Sequence, residues 1–122
     1  MKRVFIQTYG CQMNVYDTGK VRALLGKDGF EATDDISQAD VIIVNTCSVR
    51  EKPEHKLHSF LGDALKIKRE TGRKITVAVA GCVAQQEGEK LLKRYPQLDL
   101  VFGPDAVPRV RELVRAARPE GA

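Results

Sequence analysis

Short apolar runs alternate along this chain with longer stretches whose apolar positions recur at helical spacing. Residues 4–8, "VFIQT", have strand-like composition. Behind them Asn14 and Asp17 have the spacing of a capping box for a helix that carries Val21, Leu24 and Leu25. "GKDG" stops that helix with two glycines. "FEA" reads as a short, weak strand and "DDISQAD" as a polar connection. "VIIVN", residues 41–45, is a continuous apolar run, the pattern of a strand buried on both faces. Ser48 and Glu51 then form a second capping box, with Pro53 tolerated in the first turn. The helix behind it places Leu57, Leu61, Ala64, Leu65 and Lys68 at helical spacing, and Gly72 ends it. "ITVAVA", residues 75–80, is another buried strand. "GCVAQQEGEKLLKRY" opens a helix that Pro96 terminates. "LDLVF", residues 98–102, is a fifth strand, "GPDA" a turn, and Pro108 lies in the first turn of a last helix that runs to about Ala117.

The predicted order is β-α-β-β-α-β-α-β-α with short loops. Buried strands alternating with amphipathic helices make an α/β fold, an open parallel sheet covered by helices on both faces. Its crossovers are right-handed. The weak second strand belongs at an edge, which gives the flavodoxin-like order 2-1-3-4-5 of a three-layer sandwich. Residues 1–118 read as one domain and 119–122 as a linker or chain end.

Composition changes this picture little. The chain has 122 residues, enough to bury a core without a disulfide or metal. It is 43% hydrophobic and 30% charged, ordinary for a globular protein. The longest apolar stretches are far too short to span a bilayer, and no apolar h-region follows the two basic residues near the start. A cytoplasmic protein with no membrane partner is expected. A net charge of +4 permits contact with nucleic acid without arguing for it. Three cysteines is an odd number. Without an export signal, that count points to thiol or metal chemistry, or to buried packing, rather than to a disulfide framework.

The placement of the cysteines carries more. In "VFIQTYGC", "VIIVNTC" and "ITVAVAGC" each predicted strand ends one to three residues before a cysteine. Cys11, Cys47 and Cys82 are separated by 36 and 35 residues, roughly the repeat of the βα units here. Equal phase in a parallel sheet means one edge, the carboxyl edge where open α/β folds bind ligands. With the order 2-1-3-4-5 the three strands are neighbours, so the outer two cysteines start roughly 10 Å apart. Each cysteine also precedes a predicted helix, whose free N–H groups and partial positive charge favour the thiolate.

A free cysteine also packs as a small buried hydrophobe, and for any one of the three that is the ordinary role. Three at equivalent strand ends fit it poorly. A zinc site needs a fourth ligand, and His55 and His58, the two histidines, lie beyond the first turn of their helix. Three thiolates without a fourth ligand suit an iron–sulfur cluster with one open iron. A thiol-redox domain and a non-catalytic flavodoxin-like binding module with packed cysteines are the competing readings. Other uses of the fold fail on particular residues. A receiver domain wants an aspartate where Asn45, Thr46 and Cys47 stand. A cysteine phosphatase wants an arginine that "CQMNVYDTGK" lacks. "YGCQMN" is a poor flavin phosphate loop, and no G-x-G-x-x-G or P-loop occurs.

"TYGCQMNVYD", "ADVIIVNTCSVREK" and "VAGCVAQQEGEKL" resemble the N-terminal domain of the radical-SAM methylthiotransferases, in order and over essentially the whole chain. "CQMN" and "TCSVREK" resemble most the MiaB-type branch, the tRNA-2-methylthio-N6-dimethylallyladenosine synthases. The branches that act on a ribosomal-protein aspartate or on threonylcarbamoyladenosine are the alternatives. The resemblance implies a flavodoxin-like fold without flavin and an auxiliary [4Fe–4S] cluster held by Cys11, Cys47 and Cys82. It implies a second [4Fe–4S] cluster in a radical-SAM domain, which cleaves S-adenosylmethionine to a radical that abstracts hydrogen from C2 of an isopentenylated adenosine beside the tRNA anticodon. The auxiliary cluster would supply the sulfur, methylated by a second S-adenosylmethionine. The CxxxCxxC motif of the radical-SAM domain and the RNA-binding domain are absent from these 122 residues. The chain thus looks like an N-terminal piece, inactive alone, whose partners are those two domains of the same polypeptide and, through them, tRNA. Asn14, Asn45, Ser48 and Gln85 flank the cysteines as candidates to tune the cluster. Capping accounts equally for Asn14 and Ser48. Arg50 meets substrate or is simply solvated.

Overall fold

The two continuous apolar runs form the middle of a parallel sheet. In a computed structural model of the chain, residues 2–9, 12–46, 52–72, 75–81, 89–95 and 98–117 are described. Among them are five strands, β1 (Lys2–Tyr9), β2 (Phe30–Ala32), β3 (Val41–Thr46), β4 (Thr76–Ala80) and β5 (Leu100–Phe102). They pair in parallel in the order β2-β1-β3-β4-β5. This is the flavodoxin-like α/β sandwich expected, with the short strand β2 at one edge.

Helices α1 (Gln12–Gly26), α2 (Lys52–Thr71) and α4 (Val110–Ala117), with helical backbone over 89–94 as α3, cover the sheet. Because successive strand residues face opposite sides, β3 splits its side chains between two cores. Val41 and Ile43 meet Val21 and Leu25 of α1 and Val110 and Val114 of α4. Ile42 and Val44 meet Leu61, Ala64 and Leu65 of α2 and Leu91 of α3. All four of these β3 residues are fully buried, which is why the run contains no polar alternation. Phe5 stacks on Phe60, with ring centroids 5.9 Å apart, and ties β1 to α2.

The amino edge of the sheet is closed by two aspartates that act alike. The Asp40 N–H donates to the Arg3 carbonyl at 2.8 Å while its carboxylate accepts the Arg3 N–H at 2.9 Å. The Asp99 N–H donates to the Val77 carbonyl and its carboxylate accepts the Val77 N–H, both at 2.9 Å. Asp99 also accepts from Lys68 Nζ at 2.7 Å, fixing the last turns of α2. On the other face Arg111 of α4 grips Asp28, just past α1, with its Nε at 3.0 Å. That hydrogen bond and the aspartate's charge hold the Arg111 guanidinium above its ordinary pKa.

Four local expectations differ from the structure. Asn14 and Asp17 lie inside α1, which begins at Gln12, so Asn14 is not its cap. The reason is that β1 stays paired as far as Tyr9, opposite Thr46, leaving two residues before the helix. The polar connection contains a 3-10 turn, Ile36–Gln38, capped by Asp35, whose carboxylate accepts from Ser37 N–H and Oγ. Those bonds, the hydroxyl's first, hold the Asp35 carboxyl below its usual range. Strand β5 begins at Leu100 rather than at residue 98, after Asp99 has turned its carboxylate to the sheet edge. Pro108 sits within a 3-10 turn, Pro104–Arg109, and α4 starts after it at Val110. The helix stops are as expected: Gly29 and Gly72 take positive φ (87° and 66°) just past α1 and α2. The Ser48–Glu51 box lies outside the described residues.

Leu61 is fully buried under β3, so Leu61→Ala should cost about 2–5 kcal/mol. Urea denaturation is the check, with an unchanged m-value expected.

Candidate functional site

The registers align one row of residues across the carboxyl half of the sheet. Thr8 pairs with Asn45, Asn45 with Ala80, and Ala80 with Phe102. The three positions that precede the cysteines therefore stand side by side, Thr8 and Ala80 about 10 Å apart across the intervening strand. In the sequence Cys11 follows Thr8 by three residues, Cys47 follows Asn45 by two, and Cys82 follows Ala80 by two. The cysteines themselves lie outside the described residues, as do Ser48, Arg50 and Gln85.

Each strand end shows how the chain is delivered. After β4, Gly81 has φ 105° and its N–H donates to the Phe102 carbonyl at 3.2 Å. That backbone region is open to glycine and costly for other residues, so the residue before Cys82 has a backbone reason to be glycine. After β1, helix α1 resumes at Gln12, directly following Cys11. The free N–H groups of that helix start favour an anion beside it. Helix α2 begins at Lys52, five residues past Cys47, and described helix resumes at residue 89, seven past Cys82.

Beneath the row lies a buried polar cluster on the α1 face of the sheet. Thr18 of α1 is 6% exposed and Asn45 of β3 is 2% exposed. Asn45 Nδ2 donates to Thr18 Oγ1 at 3.0 Å, and Thr18 Oγ1 shares a hydrogen bond of 2.7 Å with Thr8 Oγ1. The surrounding residues of this face, Val4, Val21, Ile43, Ala78 and Ala80, are apolar. Asn45 is buried near the carboxyl end of β3, two residues before Cys47 in the sequence. Thr18 escapes a reading based on the cysteines. Its signal is its phase: Thr18, Val21 and Leu25 fall on one helical stripe, and a polar residue on a buried stripe requires a partner.

Asn14 is in the first turn of α1 and His55 and His58 are in the early turns of α2, their side chains outside the described residues. Among the described residues no group of three or more His, Cys, Asp or Glu side chains is placed to hold a metal. A groove of about 350 Å³ between α1 and the Pro104–Arg109 turn is lined by Lys20, Ala23, Leu24, Val107 and Pro108. Apart from Lys20, its described lining is apolar. Among the described residues no helix is long and apolar enough to cross a membrane.

The strand order and registers define a flavodoxin-like α/β domain in which the carboxyl ends of three neighbouring strands precede the three cysteines in the sequence. Residues 3–103 match the model of Uncharacterized protein family UPF0004, and the chain belongs to that family. It is 57% identical over 116 residues to a tRNA-2-methylthio-N(6)-dimethylallyladenosine synthase of Geobacter metallireducens, a match covering 95% of this chain and 26% of the relative. It is 46% identical over 120 residues to the enzyme of that name from Agrobacterium fabrum (96% and 26%). A third match, 48% over 120 residues, is to the one from Xanthomonas axonopodis pv. citri (98% and 25%). The chain spans about a quarter of the length of the curated relatives it matches.

Because Gly81 occupies a backbone region that a side chain disfavours, Gly81→Ala should destabilise the protein by about 1–3 kcal/mol. A shift of the urea midpoint is the measurement. Gly19→Ala, at an exposed helical glycine with nothing within 4 Å of an added Cβ, is the control that should not destabilise.

Proposed function

We propose that this chain is the N-terminal sulfur-donor domain of a MiaB-type tRNA methylthiotransferase, with residues 1–118 forming the domain and 119–122 leading out of it. The observation that carries the reading is the row Thr8–Asn45–Ala80, which brings the strands leading to Cys11, Cys47 and Cys82 into register at one edge. The sequence match to enzymes named for 2-methylthio-N(6)-dimethylallyladenosine supports the substrate branch. Cys11, Cys47 and Cys82 hold an auxiliary [4Fe–4S] cluster. The donor set fits such a group: three thiolates leave one iron of a cubane free for exchangeable sulfur. When bound, the cluster supplies the sulfur for methylthiolation at C2 of an isopentenylated adenosine beside the tRNA anticodon.

This chain's part is to bind and orient. The start of α1 stabilises negative charge next to Cys11. Asn45, Asn14, Ser48 and Gln85 are the polar neighbours in sequence that tune the thiolates by hydrogen bonding. The radical-SAM and RNA-binding domains belong to the rest of the polypeptide, with the second cluster, S-adenosylmethionine and most of the tRNA contact. The enzyme works in the cytoplasm, and these 122 residues alone do not turn over.

Anaerobic reconstitution with iron and sulfide should load about one cubane per chain, and Cys47→Ala should abolish it. Absence of iron uptake by the wild-type chain overturns the cluster assignment. Zinc in protein purified without oxygen supports the structural-metal alternative, and retained flavin supports a flavodoxin-like binding module. The longer natural protein, but not this chain, should methylthiolate isopentenylated tRNA. Activity instead on threonylcarbamoyladenosine or on a ribosomal-protein aspartate moves it to another branch.

A further inference from the structure

We infer that Thr18 is a positioning residue whose hydroxyl fixes the segments bearing Cys11 and Cys47 relative to one another; the inference rests on the reading of those cysteines as ligands of one cluster. Thr18 bonds Thr8, three residues before Cys11, and Asn45, two residues before Cys47. Thr8 and Asn45 are themselves paired across β1 and β3. Three contacts thus close a triangle between the strand that precedes Cys11, the helix that follows it, and the strand that precedes Cys47.

The need for a hydroxyl follows from what surrounds it. Around the triangle, α1 lies on the sheet through Val21 and Leu25 against Val4, Val41 and Ile43. Such apolar contacts hold a helix to a sheet but are non-directional, so they limit a shift along the helix axis by shape alone. A helix is a stiff rod, and any slide moves its first residue, Gln12, by the same amount. Gln12 is bonded to Cys11. Two hydrogen bonds near 3 Å at Thr18, about 9 Å down the axis from the helix start, fix that slide within the narrow range that hydrogen-bond geometry allows. Valine has the shape of threonine and would fill the same space, so packing alone gives no reason for a hydroxyl at this position. Replacing a buried hydrogen-bonded set by apolar groups of equal shape is often close to neutral in stability, and the best-attested use of such a set is to specify register.

The test separates register from stability with three variants of this chain. Thr18→Val removes the hydroxyl and the two hydrogen bonds it makes. Thr18→Val with Asn45→Leu removes the amide as well and leaves Thr8 the only polar member of the triangle. Thr18→Ser keeps the hydroxyl. Each is read by its urea midpoint, by iron release to a chelator after reconstitution, and by the cluster's electron paramagnetic resonance when reduced. In metal-free protein carrying Cys82→Ser, the rate of Cys11–Cys47 disulfide formation under added diamide is a readout that needs no cluster. Thr18→Val and the double variant should both release iron about fivefold faster or more and show altered resonance, while Thr18→Ser stays within about twofold of wild type. The disulfide rate should change in the same two variants, whatever the shift of their urea midpoints. Iron release, resonance and disulfide rate all at wild-type values in the double variant overturn the inference, because the triangle then contributes only to stability. If the wild-type chain takes up no iron, the cluster reading fails by itself, and the disulfide rates still decide whether Thr18 sets the spacing of the two cysteines.

Discussion

The pairing of β3 between β1 and β4 is the constraint on which the rest of the molecule depends. Val41 to Val44 are fully buried because both faces of this strand are covered, and a one-residue slip would exchange the two cores. The register that satisfies them also aligns Thr8, Asn45 and Ala80. Core packing and the geometry of the candidate site are therefore set by the same hydrogen-bond ladders. A mutation that disturbs the core of β3 would disturb the edge, even far from any cysteine.

The two edges of the sheet use polar residues differently. At the amino edge Asp40 and Asp99 stand in for strand pairing, each satisfying the N–H and C=O of a neighbouring strand's first residues. Their carboxylates are partly exposed and their role is to finish the ladder. At the carboxyl edge Thr8, Thr18 and Asn45 are drawn into an apolar layer and bond one another. Desolvating them costs free energy that hydrogen bonding largely offsets. Such groups are expected where register matters more than added stability.

Most of the architecture was readable from the chain because its signals are of the long-period kind. The unbroken runs "VIIVN" and "ITVAVA" mark strands buried on both faces, and "FEA" is too short to be anything but an edge. The shared phase of the cysteines marks one edge once the strand order is known. What was not readable depended on contacts between distant residues. Asn14 looks like a cap in isolation, but β1 pairs with β3 as far as Tyr9 and pulls the helix start forward to Gln12. Thr18 looks like any helical threonine until Asn45, 27 positions away, is placed against it. Asp99 looks like part of a strand, yet its carboxylate accepts from Lys68 and Val77 across the sheet edge.

Spacing also explains why such a site belongs on a preformed sheet rather than in a short metal-binding loop. Ligands two or four residues apart can gather around a metal with little loss of chain entropy, and small domains of that kind fold only when the metal binds. Here the cysteines are separated by 36 and 35 residues. Closing two such loops from an open chain costs about 3 kcal/mol each in chain entropy. The core formed by Ile42, Ile43, Val44, Val77 and Val79 meets that cost before any ligand arrives. A group bound at this edge need not hold the fold together, because the core is complete without it.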